Sequence, residues 1–308
     1  MNYKIVNLIS AYLRFREPTV EGYRYTIKNP ISVIIRKNGL VKLSNGYSIP
    51  FDKETKRSIL GIVSFALSNG IRFGEGEYEW KLDYKNRIIE THQGIKLKIN
   101  RVGLLDETFL YQIHFSGLDL KNKVVVTAGA YIGDTPLFYS YYGAKVYGFE
   151  PDPPSYAQAL ENIKLNPKLS ENIVLRNYAI GTDGDIDFPV DPEDSGGSSI
   201  YKSEGLKTIK TRSKSISTVL NEFSISDPFL LDLDIKGAEF SVIEDVSIKK
   251  FQKIRIEYSP YLLKSKTKSL SYLIYKLKSY GFNKFRIYKH NGLRYDLMNH
   301  GTLEAERS

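Results

Sequence analysis

The stretch Val124-Val125-Val126-Thr127-Ala128-Gly129-Ala130-Tyr131-Ile132-Gly133-Asp134-Thr135-Pro136 decides the fold. Three β-branched residues in a row, with nothing polar between them, read as a strand buried on both faces, as in a parallel sheet. Gly129 and Gly133 let the backbone turn sharply and approach a ligand with no Cβ in the way. Asp134 or Thr135 caps the helix Pro136–Tyr142, with Pro136 at its first position. The N-terminus of such a helix favours polar or anionic ligand groups. Strand, glycine turn and helix in this order form a ligand-binding corner of an open α/β sheet.

The rhythm continues downstream. Lys145–Phe149 is the next strand. Asp152 caps a helix that carries Pro153 and Pro154 in its first turn and stops at Asn166-Pro167. Ile173–Arg176, Phe229–Leu233 and Lys253–Glu257 are three more strands. Ser269–Tyr280 is a helix closed by Gly281. Phe285–Tyr288 and Leu293–Leu297 pair through Asn291-Gly292 as a terminal antiparallel hairpin. Strands alternating with helices imply a parallel sheet with crossover helices.

Upstream of about residue 100 the pattern is mixed α+β. Ser32–Arg36 and Leu40–Leu43 read as strands of a hairpin joined by Lys37-Asn38-Gly39. Lys56–Leu67 reads as a helix with Ile59, Leu60, Val63 and Leu67 on one face. Tyr78–Leu82, Arg87–Glu90 and Ile95–Ile99 are strand-like. No motif spacing brings polar groups together here. The expectation is two domains: an accessory or dimerisation module over 1–100, and a ligand-binding α/β domain over 101–308. A substrate-recognition module is the alternative for the first.

Length and composition agree. A chain of 308 residues is long enough for about two domains at roughly 150 residues each. There are no cysteines, which excludes disulfides, Fe–S clusters, thiolate metal sites and cysteine nucleophiles. The four histidines are widely spaced, so no metal site is expected. The net charge of +9 is spread along the chain, which reads as a solvated lysine-rich surface. No stretch reaches the ~18 apolar residues of a membrane span. Ile5–Leu13 reads as an amphipathic helix and not a signal peptide, and the expected location is cytoplasmic.

Three further constellations carry chemistry. In Gly148-Phe149-Glu150-Pro151-Asp152, Glu150 ends the second strand and follows Gly133 at the distance typical of a carboxylate that accepts from ribose hydroxyls. This pairing fits a nicotinamide dinucleotide or S-adenosylmethionine. The turn has Tyr131 where a G-x-G-x-x-G turn has its middle glycine, so a ligand without a pyrophosphate is favoured. In Leu231-Asp232-Leu233-Asp234-Ile235-Lys236-Gly237-Ala238-Glu239, Asp234 sits at the carboxyl end of the fourth strand. Asp232 shares its side if the strand persists. In Ile254-Arg255-Ile256-Glu257-Tyr258, Glu257 ends the fifth strand and faces the same crevice. Asp234 and Glu257 are the candidate catalytic pair, binding an acceptor's hydroxyls, with one as general base.

From about residue 105 to 262 the sequence resembles the FkbM-type S-adenosylmethionine-dependent methyltransferases. That family's D-V-G-A-N-I-G-D appears as Thr127-Ala128-Gly129-Ala130-Tyr131-Ile132-Gly133-Asp134. Its E-P-D appears as Glu150-Pro151-Asp152, and its N-x-x-x-N runs from Asn162 to Asn166. The alanine after the third strand stands in Tyr178-Ala179-Ile180-Gly181. D-x-E-G-x-E appears as Asp234 to Glu239, and I-x-I-E as Ile254 to Glu257. The resemblance implies a class I methyltransferase (Rossmann-like) fold with S-adenosylmethionine as donor. Gly129, Ala130 and Gly133 would border its methionine part, Glu150 its ribose, and Tyr178, Ala179 and Ile180 its adenine. Thr127, Asp134, Pro151 and Asp234 complete the donor-binding set.

Three departures stand out. Thr127 replaces an Asp that helps hold the donor's amino-acid end. Tyr131 replaces Asn. Lys236 replaces a Glu and points to an acceptor more anionic than a neutral sugar. The polar stretch Asp191–Gly205 is a candidate lid over the site. The resulting expectation is an O-methyltransferase for a hydroxyl of a sugar, glycolipid or small metabolite, with a small-molecule or glycan acceptor and a homo-oligomer formed through the N-terminal domain. An RNA methyltransferase, a non-catalytic module with a degraded donor site and, more distantly, a nicotinamide-dependent oxidoreductase are the alternatives.

Overall fold

The computed structural model describes residues 27–44, 46–56, 59–60, 79–98, 105–109, 118–190, 207–263, 267–288, 298 and 300–308. The helix expected over 5–13, the polar loop 191–205, the strand 293–297 with its 291–292 turn and most of the helix expected over 56–67 lie outside them. The chain forms two compact units, residues 1–118 and 119–308.

The second unit is built on a seven-stranded sheet. Its strands are β1 (Val124–Ala128), β2 (Lys145–Phe149), β3 (Ile173–Arg176), β4 (Leu230–Leu233), β5 (Lys253–Tyr258), β6 (Lys284–Tyr288) and β7 (Gly301–Glu306). They lie in the order β3-β2-β1-β4-β5-β7-β6. The first five are parallel, and β7 runs antiparallel to both β5 and β6. This is the class I methyltransferase order. The chain leaves β1 towards β2 and β3, then returns to lay β4 and β5 on its other side. The split beside β1 is the switch point where such sheets bind ligands.

Its helices include α1 (Asp134–Tyr141), α2 (Pro153–Lys164), α3 (Ile216–Glu222), α4 (Glu239–Val242) and α5 (Leu270–Ser279), with one more turn of helix at Pro167–Ser170. Asp152 caps α2, its carboxylate accepting from the Ser155 amide. Ser269 caps α5 in the same way through Tyr272. The cap of α1 is Gly133, in the left-handed region at φ 81°, and not Asp134 or Thr135. The helix starts earlier than Pro136 because the glycine supplies the turn from which it springs. The antiparallel partner of β6 is Gly301–Glu306. Leu231, Ile254, Ile256 and Leu303 are among the fully buried residues of the sheet's core.

The first unit holds a hairpin of Gly39–Lys42 with Ser48–Phe51 and a three-stranded antiparallel sheet of Lys81–Asp83, Ile88–Glu90 and Lys96–Lys98. Residues 30–35 form a helix, which corrects the strand expected over Ser32–Arg36. Pro30 opens it at N1, where its fixed φ suits a helix. The β-branched run after it buries only Val33, and Ile31, Ile34 and Ile35 stay exposed. The hairpin therefore turns one segment later, beyond Leu43, whose amide donates to Tyr47 O. Trp80 and Tyr47 anchor the core of this unit. Trp80 Nε1 donates to His92 Nδ1 at 3.0 Å. Burial pushes the His92 pKa down to about 4, so this histidine is a neutral packing residue at pH 7.

Candidate active site

The turn after β1 is held from three sides. The Gly129 and Ala130 amides both donate to Phe149 O at 3.0 Å, tying the turn to the end of β2. The Tyr131 amide donates to Glu150 Oε2 at 2.8 Å. Asn162 Nδ2 donates to Ile132 O at 2.8 Å, and Asn166 Nδ2 to Asn162 O at 2.7 Å. The N-x-x-x-N pair is thus a bracket under the glycine turn. A Cβ on Gly133 would stand 3.2 Å from the Ala159 Cα, so the turn packs directly on α2. Gly129, at φ 86°, is tighter: its Cβ would stand 2.1 Å from the Asp234 carbonyl oxygen. The Asp234 amide in turn donates to Ala128 O, which locks the ends of β1 and β4 together.

Glu150 is 6% exposed. Its Oε1 accepts from the Asp152 amide at 2.9 Å, and its Oε2 from Tyr131. Asn177 Nδ2 donates to the carbonyls of Glu150 and Pro151, fixing that corner. Burial pushes the Glu150 pKa up to about 8 against the pull of its two backbone donors, with the charges of Asp152 and Asp234 adding to the rise. Asp152 Oδ1 is buried with no hydrogen-bond partner among the described residues.

Thr127 does not reach the crevice. Its hydroxyl donates to Asp232 Oδ2 at 3.1 Å, which also accepts from Tyr139 OH of α1 at 2.9 Å. Arg255 Nε donates to Asp232 Oδ1 at 2.6 Å. Thr127, Asp232 and Arg255 occupy one row across β1, β4 and β5. The row continues to Glu304 on β7 and Arg286 on β6. Its inner members Asp232 and Arg255 are 1% and 2% exposed. The strand ends at Leu233, before Asp234, and Asp232 supports the floor beneath the site.

Above this row Asp234 lies just past β4, and Glu257 is on β5. Lys236, at φ 46°, bends back so that Nζ lies 2.8 Å from Glu257 Oε1 and 3.1 Å from Asp234 Oδ1. The two carboxylates hold the Lys236 pKa well above its ordinary value despite burial. Burial and the nearby Glu257 raise that of Asp234. Two carboxylates against one ammonium leave the cluster net negative, so Lys236 offers no anchor for an anionic acceptor. Glu239 of α4 is fully buried and bridges two loops, accepting from the Gly237 amide at 2.5 Å and the Ser259 amide at 2.7 Å. Burial pushes its pKa up to about 7.

Tyr178 stacks on Phe149 at 5.0 Å between ring centroids, with Lys214 Nζ 4.5 Å from its ring centroid. Its hydroxyl donates to Glu222. Ala179 and Ile180 are buried and pair in parallel with Ser213 and Lys214. Ala130 is buried in the turn, Asp134 is buried in the first turn of α1, and Pro151 is half-buried. Sequence reading missed His300, whose Nε2 lies 3.9 Å from Glu257 Oε1. No motif spacing marks it.

The carboxylates of Glu150, Asp234 and Glu257 around the glycine turn suit a ligand that is cationic and bears hydroxyls. A pyrophosphate would meet carboxylates there. S-Adenosylmethionine has the required sulfonium, ammonium and ribose, and a dinucleotide does not fit.

No curated protein matches the chain. Similar solved structures include precorrin-6y C5,15-methyltransferase from Geobacter metallireducens GS-15, at 14% identity over 64% of this chain and 87% of that one, with a TM-score of 0.38. Another is M. jannaschii TYW2 in complex with AdoMet, at 15% identity over 77% and 90%, with a TM-score of 0.39. A third is the N-terminal domain of human METTL16 in complex with SAH, at 11% identity over 98% and 94%, with a TM-score of 0.38. At these TM-scores the fold rests on the strand order itself. The Methyltransferase FkbM domain matches residues 128–284, just over half of the chain. That span runs from the last residue of β1 to the first of β6 and takes in the glycine turn, Glu150 and the carboxylate–lysine cluster together: the chain belongs to the FkbM methyltransferase family.

Proposed function

We propose that this S-adenosylmethionine-dependent methyltransferase moves its methyl group to a hydroxyl oxygen of a sugar, glycolipid or small metabolite. The observation that carries this reading is the Asp234–Lys236–Glu257 cluster beside Gly129. Carboxylates accept hydrogen bonds from hydroxyls, and a net-negative cluster suits a neutral polyhydroxylated acceptor better than a phosphate-bearing one. The same argument sets aside RNA. The donor supplies an electrophilic methyl on a positively charged sulfur. Gly129, Ala130 and Gly133 form the turn that would border its methionine part, and Glu150 would accept from its ribose hydroxyls. Asp234 and Glu257 orient the acceptor, since alignment alone supplies much of the rate gain in such a displacement. Among the described residues no helix is long and apolar enough to cross a membrane.

The test is an acceptor screen with methyl glycosides and other polyols, read by mass and by NMR of the new methyl. A methoxyl product is expected, with kcat lowered about a hundredfold in Glu257→Gln. Methylation at nitrogen or carbon, or of RNA alone, sinks the reading.

Glu150 makes the donor site pH-dependent. Its ionised form accepts from ribose hydroxyls and attracts the cationic donor, so binding favours loss of its proton. Donor affinity therefore rises as pH climbs towards about 8, the value to which burial pushes this carboxyl. Fold stability has the opposite sign, because a buried acid with a raised pKa stabilises below its ordinary value and loses that contribution as it ionises. Calorimetric donor titrations of wild type and Glu150→Gln check this, the variant subtracting the donor's own ionisation. Equal slopes in both proteins refute it.

A further inference from the structure

We propose that His300 takes the acceptor hydroxyl's proton, with Glu257 as its counter-ion. This rests on the O-methylation reading and names its base. His300 lies outside the family-matched segment 128–284, just before β7.

The ring is oriented by its Nδ1, which lies 3.2 Å from Tyr258 O and 3.3 Å from Ser259 Oγ. A carbonyl oxygen only accepts, so Nδ1 carries the proton of the neutral ring and Nε2 carries the lone pair. Nε2 lies 3.9 Å from Glu257 Oε1. That is too long for a hydrogen bond but close enough for the carboxylate to stabilise an imidazolium. Tyr261 meets the ring edge-on at 5.8 Å between centroids. The His300 side chain is 13% exposed, beside the carboxylate read above as orienting the acceptor.

Neither carboxylate is as well placed to keep a proton. Asp234 and Glu257 both contact Lys236 Nζ, and protonating either would strip a half-buried ammonium of half its compensation. Among the described residues, the groups facing His300 include Glu257, Tyr258 and Ser259 from β5 and its exit, and Tyr261 from the turn beyond. Lys236 stands behind Glu257. In the step, a lone pair of the acceptor oxygen forms the C–O bond as the C–S bond breaks and its electron pair stays on sulfur. The hydroxyl proton moves to His300 Nε2, giving an imidazolium beside the Glu257 carboxylate, and later leaves to solvent.

The test uses the full chain labelled with 15N-histidine. There are four histidines, and His300→Asn identifies the signal. Asn suits the site because its amide can still donate to Tyr258 O. The expected spectrum shows the Nδ1-protonated neutral tautomer. An Nε2-protonated tautomer overturns the proposal with no acceptor in hand. For any glycoside that the wild type methylates, His300→Asn lowers kcat by about 10²–10⁴-fold and removes the acid limb of its pH profile. Donor affinity by calorimetry stays within about twofold of wild type. Turnover within threefold of wild type with the acid limb intact also overturns it. Donor binding in the wild type reports on the methyl-transfer reading separately, so failure of one is distinguishable from failure of the other.

Discussion

Arg255→Met lowers the unfolding free energy of the second unit by about 3–5 kcal/mol, because it leaves Asp232 charged and buried with only two hydroxyl donors. Arg255 and Asp232 side chains are 3% and 1% exposed at a separation of 2.6 Å, so water cannot take over the lost role. The cost lies in the stranded charge and not in the worth of the pair. Asp232→Asn combined with Arg255→Met therefore recovers most of the loss. Lys210→Met is the control: Lys210 and Asp187 side chains are 79% and 64% exposed, and removing the cation costs no more than about 0.5 kcal/mol. Urea unfolding of the four proteins measures all of this. A loss below about 1 kcal/mol for Arg255→Met shows that the row is solvated.

Gly129→Ala destabilises by about 3–5 kcal/mol and abolishes measurable donor binding. Two effects add. The residue sits at φ 86°, where a side chain is strained by about 1–3 kcal/mol. Its new Cβ would stand 2.1 Å from the Asp234 carbonyl oxygen, and a backbone atom cannot step aside without parting the ends of β1 and β4. Gly94→Ala isolates the first effect: it lies at φ +79° with nothing within 4 Å of its Cβ. Thermal unfolding gives the stability difference and calorimetry the donor affinity. If the two alanine variants unfold alike, the close approach is not what makes residue 129 a glycine.

The glycine turn, Glu150 and the two carboxylates were legible in the sequence because each depends on local rules. A left-handed turn needs glycine, and a strand end is where apolar alternation stops. The helix over Pro30–Ile35 was misread because a β-branched run outweighed the single proline that opens it. The 162–166 asparagine pair was visible as a pattern, but its role was not, since Asn162 bonds a carbonyl thirty residues earlier. Thr127 looked like a weakened donor contact. Only the register of β1 against β4 shows its hydroxyl committed to Asp232. His300 was invisible for the same reason: its nearness to Glu257 arises from β7 folding back beside β5, a pairing with no short-range signal.

The row Asp232–Arg255–Glu304–Arg286 alternates in sign across four adjacent strands. The last strands to be synthesised, β6 and β7, must find their places against a parallel sheet that precedes them in the chain. Hydrophobic alternation tells them which side to face but is unchanged by a slide of two residues. A slide that set Glu304 opposite Glu257 would bring two carboxylates together where the native register sets Thr302 against Glu257, so charge disfavours a register that apolar patterning would permit. The native alignment keeps carboxylates apart at that end of the sheet, and it sets down His300 beside Glu257.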